Sequence, residues 1–268
     1  MKKAPDKDDS VQKLVSDEAR RLTLELERRC EERTREAQAA RAEMEAFVYS
    51  ISHDLRAPLV HIGGFVDLLL NHAGDELDDK GRHYLRTIAA STYQMGRMLD
   101  DLLALTRVSE AEVHKVPLDL EAITREVIGD LKPLTENRRV HWTVEGLPTV
   151  EADPTLLRDV MGQLLSNALK FTRSASEAGI GIRGKRGDGE TVVSVHDNGV
   201  GFDMKHHDKL FGVFRRLHAA SEYEGSGVGL ARVRRIVGRH GGRTWAEGLP
   251  GGGAAFYFSL PDRNPNPR

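Results

Sequence analysis

The sequence predicts an α+β protein, with an N-terminal long helical hairpin that forms a dimeric four-helix bundle and a following α/β sandwich. Through about residue 108, apolar residues recur every three or four positions, which is typical of amphipathic helices. From about residue 116, helical segments alternate with short apolar strands bounded by glycine, proline and aspartate turns. Because two antiparallel helices cannot bury their apolar stripes alone, we expect two chains to pair in the bundle.

Composition narrows the classes of function. The chain has 268 residues and a formal net charge of −2, which gives no global signature of nucleic-acid binding. Cys30 is the only cysteine, so an intrachain disulfide and a cysteine zinc site are excluded. The most apolar run, residues 60–70, is interrupted by His61 and Asp67 and is shorter than the roughly 18 apolar residues of a membrane span. We therefore expect a cytoplasmic protein without a membrane-spanning segment.

The first helix is predicted to follow a charged, disordered segment at residues 1–10. Residues 11–45 are rich in Glu, Arg and Ala and carry a narrow apolar seam with heptad-like spacing. We interpret them as a signalling coiled-coil helix in a parallel homodimer, and the alternative is a solvated single helix. The seam consists of Leu22, Leu26, Cys30, Ala37, Ala40, Met44 and Phe47.

The helical hairpin is assigned to residues 46–108. A stop signal that contains glycine and aspartate separates its helices, and the second helix is predicted to start near residue 78 or 79. A heptad series continues through that helix to about Val108, where the helical pattern ends. Residues 109–115 are interpreted as a linker.

The second domain, residues 116–262, is followed by a tail at 263–268 that is predicted to be disordered. Asp153 before Pro154 is a helix start signal. We expect helices on one face of a largely antiparallel mixed sheet. The predicted helices are 120–137, 154–171 and 227–240, and the predicted strands are 140–144, 179–183, 191–196, 244–247 and 254–260.

One histidine stands out in the hairpin. His53 precedes Asp54 and lies two positions beyond Ile51, so its imidazole leaves the apolar face and can point to solvent. An exposed imidazole beside a carboxylate is a plausible nucleophile. Taken alone, the pattern favours an ordinary surface histidine.

Two polar patterns in the second domain fit a bound nucleotide. Asn167 and Lys170 share a helix face and offer an amide oxygen for Mg²⁺ and a positive charge for phosphates, although such pairs are usually just solvated. Asp197 ends a predicted strand and is followed by Gly199 and Gly201. Its carboxylate can accept a hydrogen bond from an exocyclic amine such as that of adenine, although an ordinary turn also suits this sequence.

Two further stretches complete the set of candidate nucleotide-binding patterns. The irregular span 202–224 is long enough for a lid, in which Phe211 and Phe214 would anchor and Arg215 and Arg216 would face phosphate. The glycine-rich stretch 225–230 opens a helix, whose free amides and dipole suit an anion. A dinucleotide-binding loop is the rival, but the glycine spacing is wrong and no strand immediately precedes it.

The histidine motif and the four later stretches, in this order along the chain, resemble those of the sensor histidine kinases of two-component systems. The resemblance covers about residues 43–260 and rests on His-Asp-Leu-Arg-Ala-Pro-Leu at 53–59 and on later stretches similar to the N, G1, F and G2 boxes. It implies a HisKA-type dimerisation and phosphoacceptor domain, followed by a GHKL-type ATP-binding domain with the fold of gyrase, Hsp90 and MutL. Each box alone is weak, but the ordered set is very specific. The histidine motif is also similar to that of phytochrome-type kinases.

The resemblance implies a role for each matching residue. His53 would be phosphorylated by ATP, Asp54 would accept the proton of its Nδ1, and Asn167 would hold Mg²⁺. Pro58, which lacks an amide hydrogen, is a candidate signalling hinge. The residues implied to bind ATP are Asn167, Lys170, Asp197, Gly199, Gly201, Phe211, Arg215, Gly225, Gly227, Gly229 and Leu230.

The implied function is an ATP-dependent protein-histidine kinase that passes its phosphoryl group to a response regulator receiver domain. An upstream sensory domain or sensor partner would supply the signal. Ala57 replaces the Thr or Asn that many members carry four residues after the histidine, so we expect weak phosphatase activity. Gln163 replaces an Asn often seen in the N box, which is a milder change. The alternatives are a nucleotide-binding, non-catalytic dimer scaffold and a GHKL ATPase.

Overall fold

A computed structural model describes residues 7–74, 76–110, 112–136, 138–218 and 222–262. The chain divides into two compact units, residues 1–51 and 52–268. Within the described ranges, no helix is both long and apolar enough to cross a membrane.

Helix α1 spans Lys7–Ala73. The predicted disorder is therefore wrong for residues 7–10, and residues 1–6 lie outside the described part of the chain. Ion pairs one turn apart support the charged segment, for example Arg29 with Glu25 at 2.6 Å. In the first unit the apolar seam is exposed, so the coiled coil stays a prediction.

Helix α2 spans Asp79–Glu110 and runs antiparallel to the part of α1 that belongs to the second unit. The Tyr93 hydroxyl donates to Asp67 of α1 at 2.6 Å. The side chain of Asp78 accepts from the amide of Gly81 at 2.7 Å, which satisfies a free donor at the start of α2. The predicted helical hairpin and the start of its second helix are confirmed.

A five-stranded mixed sheet forms the second domain. Its strands are β2 (Val140–Glu145), β4 (Ala178–Arg186), β5 (Glu190–Asp197), β6 (Thr244–Leu249) and β7 (Gly253–Pro261), in the order β2-β4-β5-β7-β6. Strands β2 and β4 are parallel, and the other neighbours are antiparallel. The largely antiparallel mixed sheet is confirmed.

A second, two-stranded sheet is not predicted by the sequence pattern. Strand β1 (Val116–Asp119) pairs antiparallel with β3 (Thr149–Ala152). Both strands have four residues, and Pro117 weakens the strand pattern of β1 because proline cannot donate to a ladder. Because the pair is antiparallel, the strand ends that lead into α3 and α4 lie at its opposite ends.

Three helices cover one face of the large sheet: α3 (Leu120–Leu131), α4 (Pro154–Phe171) and α5 (Gly229–Arg239). Helix α3 ends at Leu131 instead of residue 137, because Pro133 lacks an amide hydrogen and a 3₁₀ turn follows. Helix α5 begins at Gly229 instead of residue 227, because Gly227 has a φ of 74°. A second 3₁₀ turn, Met204–Lys209, interrupts the predicted irregular span.

Helix α4 is the central helix of this core. Leu157, Val160, Met161 and Leu165 are fully buried on its inner face, against buried side chains of β4, β5 and β7. Each such side chain contributes about 1.5–3 kcal/mol relative to an exposed one. This packing fixes the position of the helix and therefore of its outer face.

Asp153 fixes the start of α4. Its Oδ1 accepts from the amides of Thr155 and Leu156 at 3.0 and 3.1 Å, and its Oδ2 accepts from the amide of His114 at 3.1 Å.

We predict that Asp153→Ala lowers the free energy of unfolding by about 2 kcal/mol, the upper part of the range for lost N-caps, because three amides lose their acceptor. Urea denaturation followed by tryptophan fluorescence measures this change.

The matched control is Asp153→Asn, whose amide oxygen can still cap the helix. This variant should retain most of the stability. If Asp153→Ala and Asp153→Asn unfold at the same urea concentration as the unaltered chain, the capping argument is wrong.

Candidate active site

A cavity of about 450 Å³ opens beside the outer face of α4 in the second unit. It is bounded by the end of β5, by the glycine-rich turn before α5 and by Asp101 of α2. Nine residues that the sequence predicts to bind ATP line it: Asn167, Lys170, Asp197, Gly201, Arg215, Gly225, Gly227, Gly229 and Leu230. The fold thus brings together residues from four separate stretches.

The carboxyl group of Asp197 is only partly satisfied. Its Oδ1 accepts from the amide of Gly199 at 2.9 Å, whereas its buried Oδ2 has no hydrogen-bond partner among the described residues. Burial raises the pKa of Asp197 to about 6, and the amides of Gly199 and Ala254 counteract part of that rise. A buried acceptor without a partner favours a ligand that brings its own N–H donor.

Lys170 brings a positive charge to the cavity that its surroundings do not neutralise. Its Nζ donates to Asn167 Oδ1 at 3.1 Å and lies 4.3 Å from the centre of the Phe171 ring. Burial lowers the pKa of Lys170, and the nearby Arg216 lowers it further, although Glu224 acts in the opposite direction. An anionic ligand would restore the favourable environment of the ammonium group.

The glycine positions of the glycine-rich turn disfavour other residues because of backbone conformation or crowding. Gly225 and Gly227 have φ values of 141° and 74°, which favour glycine. A Cβ at Gly229 would lie 2.4 Å from Oε1 of Gln163. No side chain caps the start of α5, and its first residues, Gly229 and Leu230, line this end of the cavity, so its free amides suit an anion there.

The two arginines of the cavity rim have different contacts. Arg216 donates to the carbonyl of Gly225 at 2.9 Å and to that of Tyr223, so it supports the turn. Arg215 is exposed and lines the cavity. Both arginines line the cavity, but the guanidinium group of Arg216 is engaged with carbonyls of the turn.

Two predicted ATP-binding residues do not line the cavity. Phe211 is buried in the hydrophobic core, where it anchors the rim segment. Gly199 lies behind the cavity wall, and a Cβ there would be 2.5 Å from the carbonyl oxygen of Phe171. Both residues therefore lie in the walls around the cavity and do not face its interior, so an ATP contact of either stays a prediction.

A cluster of three rings lines the cavity and is missed by the sequence reasoning. Phe171, His218 and Tyr223 lie with ring centres 5.1–5.3 Å apart. Nε2 of His218 donates to the carbonyl of Gly201 at 3.0 Å. The aromatic residues near the glycine-rich turn can be read from the sequence as candidates for the site, but only the fold shows that their rings lie together.

Asp101 and Arg138 also line the cavity without a sequence signal. Arg138 donates to the carbonyls of Leu169 at 2.9 Å and Thr172 at 2.7 Å, which satisfies the C-terminal end of α4. Both residues come from segments far from the motifs along the chain. Their contribution depends on tertiary packing alone.

His53 lies on the exposed side of α1, and 74% of its side chain is accessible. Its Nδ1 is 3.3 Å from Oδ1 of Asp54. One turn later, the Arg56 side chain pairs with Asp100 of α2, the neighbour of the cavity residue Asp101. The segment of α1 that follows His53 thus contacts the segment of α2 that borders the cavity.

Family comparisons agree with this arrangement. The His Kinase A (phospho-acceptor) domain family matches residues 43–111, and the family of histidine kinase-, DNA gyrase B- and HSP90-like ATPases matches residues 152–264. The chain belongs to the histidine kinase family. Its ATPase-like domain contains the cavity, and its phosphoacceptor domain contains His53.

Relatives of this histidine kinase are longer proteins. Cyanobacterial phytochrome A of Nostoc sp. (strain PCC 7120) is 34% identical over 92% of the chain, which covers 31% of that protein. The methanogenesis regulatory histidine kinase FilI of Methanothrix harundinacea is 37% identical over 86% of the chain and 26% of that protein. The chain thus spans about a third or less of the length of these relatives.

A solved structure has a similar arrangement. Full-length ShkA in complex with AMPPNP is 29% identical, with a TM-score of 0.58 over 80% of this chain and 45% of that protein. The comparison supports the long helices followed by a GHKL-type α/β domain.

The cavity fits a nucleotide with Mg²⁺ on its own chemistry. The unpartnered Oδ2 of Asp197 can accept from an exocyclic amine, and the cationic end near Lys170 and Arg215 suits phosphates. Asn167 supplies an amide oxygen of the kind that Mg²⁺ binds together with phosphate oxygens. The described residues contain no separate group of three acidic, histidine or cysteine ligands, so phosphates would complete this metal site.

We predict that adenosine binding weakens as the pH falls through about 6. The raised pKa means that the free protein takes up a proton on Asp197 in this range, whereas a bound N–H donor favours the ionised form. Affinity should be constant above pH 7 and approach a loss of about tenfold per pH unit well below pH 6. Titration calorimetry with adenosine, which has no titrating phosphate, measures the profile.

Asp197→Asn is the matched control, since it preserves the shape of the side chain without a titrating group. Its adenosine affinity should be lower and independent of pH in this range. An unaltered chain with a flat profile, or an Asn variant with the same slope, would contradict the assignment of Asp197.

Proposed function

We propose that this chain is the kinase core of an ATP-dependent protein-histidine kinase, which phosphorylates its own His53 and passes the phosphoryl group to an aspartate of a response regulator receiver domain. The observation that supports it most is the combination of an exposed His53–Asp54 pair with a nucleotide-sized cavity in one unit. The AMPPNP complex of the similar protein ShkA supports ATP as the nucleotide.

The nucleotide would be oriented by its two chemically different ends. Oδ2 of Asp197 would accept from the adenine amine, since no donor among the described residues satisfies that oxygen. Lys170, Arg215 and the amides at the start of α5 would bind the phosphates. Bound Mg²⁺, held by Asn167 and phosphate oxygens, would supply charge neutralisation.

His53 would react through Nε2. Asp54 lies beside Nδ1 and would hold the proton there, which leaves the Nε2 lone pair free for the γ-phosphorus of ATP. A bond forms between Nε2 and phosphorus, the bond from that phosphorus to the β–γ bridging oxygen breaks, and ADP leaves with that electron pair. The Nδ1 proton passes to Asp54, so the phosphohistidine is left without the extra positive charge.

Dimerisation would cover the apolar face that one hairpin leaves exposed. Ile62, Leu69, Ile88 and Met95 are each 44–50% accessible in this chain. Two hairpins that pair through such residues would form the expected four-helix bundle. An upstream sensory domain or partner would then act on the dimer through α1, with Pro58 as its candidate hinge.

We predict that incubation with ATP labelled on its γ-phosphate labels the unaltered chain and that His53→Ala abolishes this label. The label should resist alkali and be lost in acid, as expected for a phosphorus–nitrogen bond. Asn167→Ala should reduce labelling at least about tenfold because the phosphates and metal lose a ligand. Gel autoradiography after acid or alkali treatment measures these outcomes.

His61→Ala is the matched control, because His61 is another exposed histidine of α1. It should be labelled like the unaltered chain. ATP hydrolysis without protein label, unchanged by His53→Ala, would instead support a GHKL ATPase, and nucleotide binding without either activity would support a scaffold.

We also predict that the chain hardly dephosphorylates a receiver domain that it has phosphorylated. Ala57 is exposed one turn after His53 and has no polar group to orient a water molecule. After removal of ATP and addition of ADP, the lifetime of the phosphorylated receiver should be the same with and without this chain. Phosphate release over time measures it.

Ala57→Asn, which restores a polar side chain at this position, is the matched variant and should shorten that lifetime. Rapid phosphate loss with the unaltered chain would contradict the prediction.

A further inference from the structure

The geometry points to Asp101 of α2 as a specificity-determining residue of the nucleotide site, which lowers the affinity for phosphates by competing with them for the glycine-rich turn. This inference rests on the proposed nucleotide function and adds a residue from the phosphoacceptor hairpin to it. No motif of the ATP-binding domain contains Asp101.

Asp101 contacts the turn directly. Its Oδ2 accepts from the hydroxyl of Ser226 at 2.5 Å, and its Oδ1 lies 4.0 Å from Nη1 of Arg232. Both Asp101 and Ser226 line the cavity, together with the flanking Gly225 and Gly227. The acid therefore lies at the end of the cavity where the phosphates are proposed to bind.

The contact also occupies donors that an anion would use. Ser226 is buried. Its hydroxyl oxygen accepts a hydrogen bond from the amide of Val228 at 3.3 Å, and its hydroxyl group donates one to Asp101. The hydroxyl and one amide of the turn are thus engaged in a chain that ends on a carboxylate. A phosphate oxygen that binds this turn must displace that carboxylate as the acceptor.

The charge of Asp101 is only partly compensated. Arg232 binds Asp159 more closely, at 2.6 Å, so two acids share one guanidinium group. The side chain of Asp101 is 37% exposed, which leaves its charge partly screened by solvent. A polyphosphate at the same end of the cavity is repelled by the remaining charge, whereas a nucleoside is not.

The same stretch of α2 connects this contact to the phosphoacceptor helix. Asp100 pairs with Arg56 of α1, one turn beyond His53, while its neighbour Asp101 binds Ser226. Farther along α2, the carbonyl of Val108 accepts from Arg239 of α5 at 2.5 Å. Phosphates that displace Asp101 would therefore remove one of the polar contacts between α2 and the ATP-binding domain.

The test compares ATP, ADP and adenosine by titration calorimetry on the full chain, before any labelling assay. Asp101→Asn retains an oxygen for Ser226 but loses the charge. We expect it to tighten ATP binding about threefold to tenfold, to tighten ADP binding less and to leave adenosine unchanged. Asp100→Asn, the adjacent control that loses only the pair with Arg56, should bind all three ligands like the unaltered chain.

A merely structural role of Asp101 would change all three affinities together, so equal changes, or weaker ATP binding in Asp101→Asn, overturn the inference. Ser226→Ala is the second variant, which removes the contested donor. In this background Asp101→Asn should change the ratio of ATP to adenosine affinity less than it does in the unaltered chain, and an equal change in the folded double variant counts against competition for the hydroxyl. If the unaltered chain binds no ATP, the proposed function fails. If it binds ATP and labels His53 but Asp101→Asn leaves the three affinities unchanged, only this inference fails.

Discussion

The burial of one face of α4 is the constraint on which the site depends. Leu157, Val160, Met161 and Leu165 hold this helix against the sheet, so its outer face presents Asn167 and Lys170 to the cavity in a fixed orientation. Asp153 accepts from free amides at the start of α4, and Arg138 donates to free carbonyls at its end. The core and the site thus share one helix.

Burial shifts the pKa of the two charged groups of the site. Burial disfavours the charged form of both Asp197 and Lys170, and neither is fully compensated by protein partners. In the proposed function, a bound nucleotide would supply the missing donor at one end and the missing negative charge at the other. The proposed ligand groups would match an acceptor of Asp197 that lacks a hydrogen-bond donor and an ammonium group of Lys170 that lacks a full counter-charge.

The hairpin contributes more than a phosphoacceptor. Its second helix places two adjacent acids in different environments, Asp100 against the His53 helix and Asp101 against the glycine-rich turn. The two side chains are adjacent in sequence but point to different partners around the helix. One short segment of α2 therefore contacts both the helix that carries His53 and the glycine-rich turn of the cavity.

The sequence alone determined the helical hairpin, the mixed sheet and nine of the residues that line the cavity, because periodic apolar residues and glycine requirements are local properties of the chain. Tertiary structure decided the rest. The strands β1 and β3 form because distant short segments pair, and Phe211 joins the core because a buried pocket is available to it. The contributions of Asp101, Arg138 and His218 could not be predicted, since contacts between residues distant in sequence leave no periodic trace.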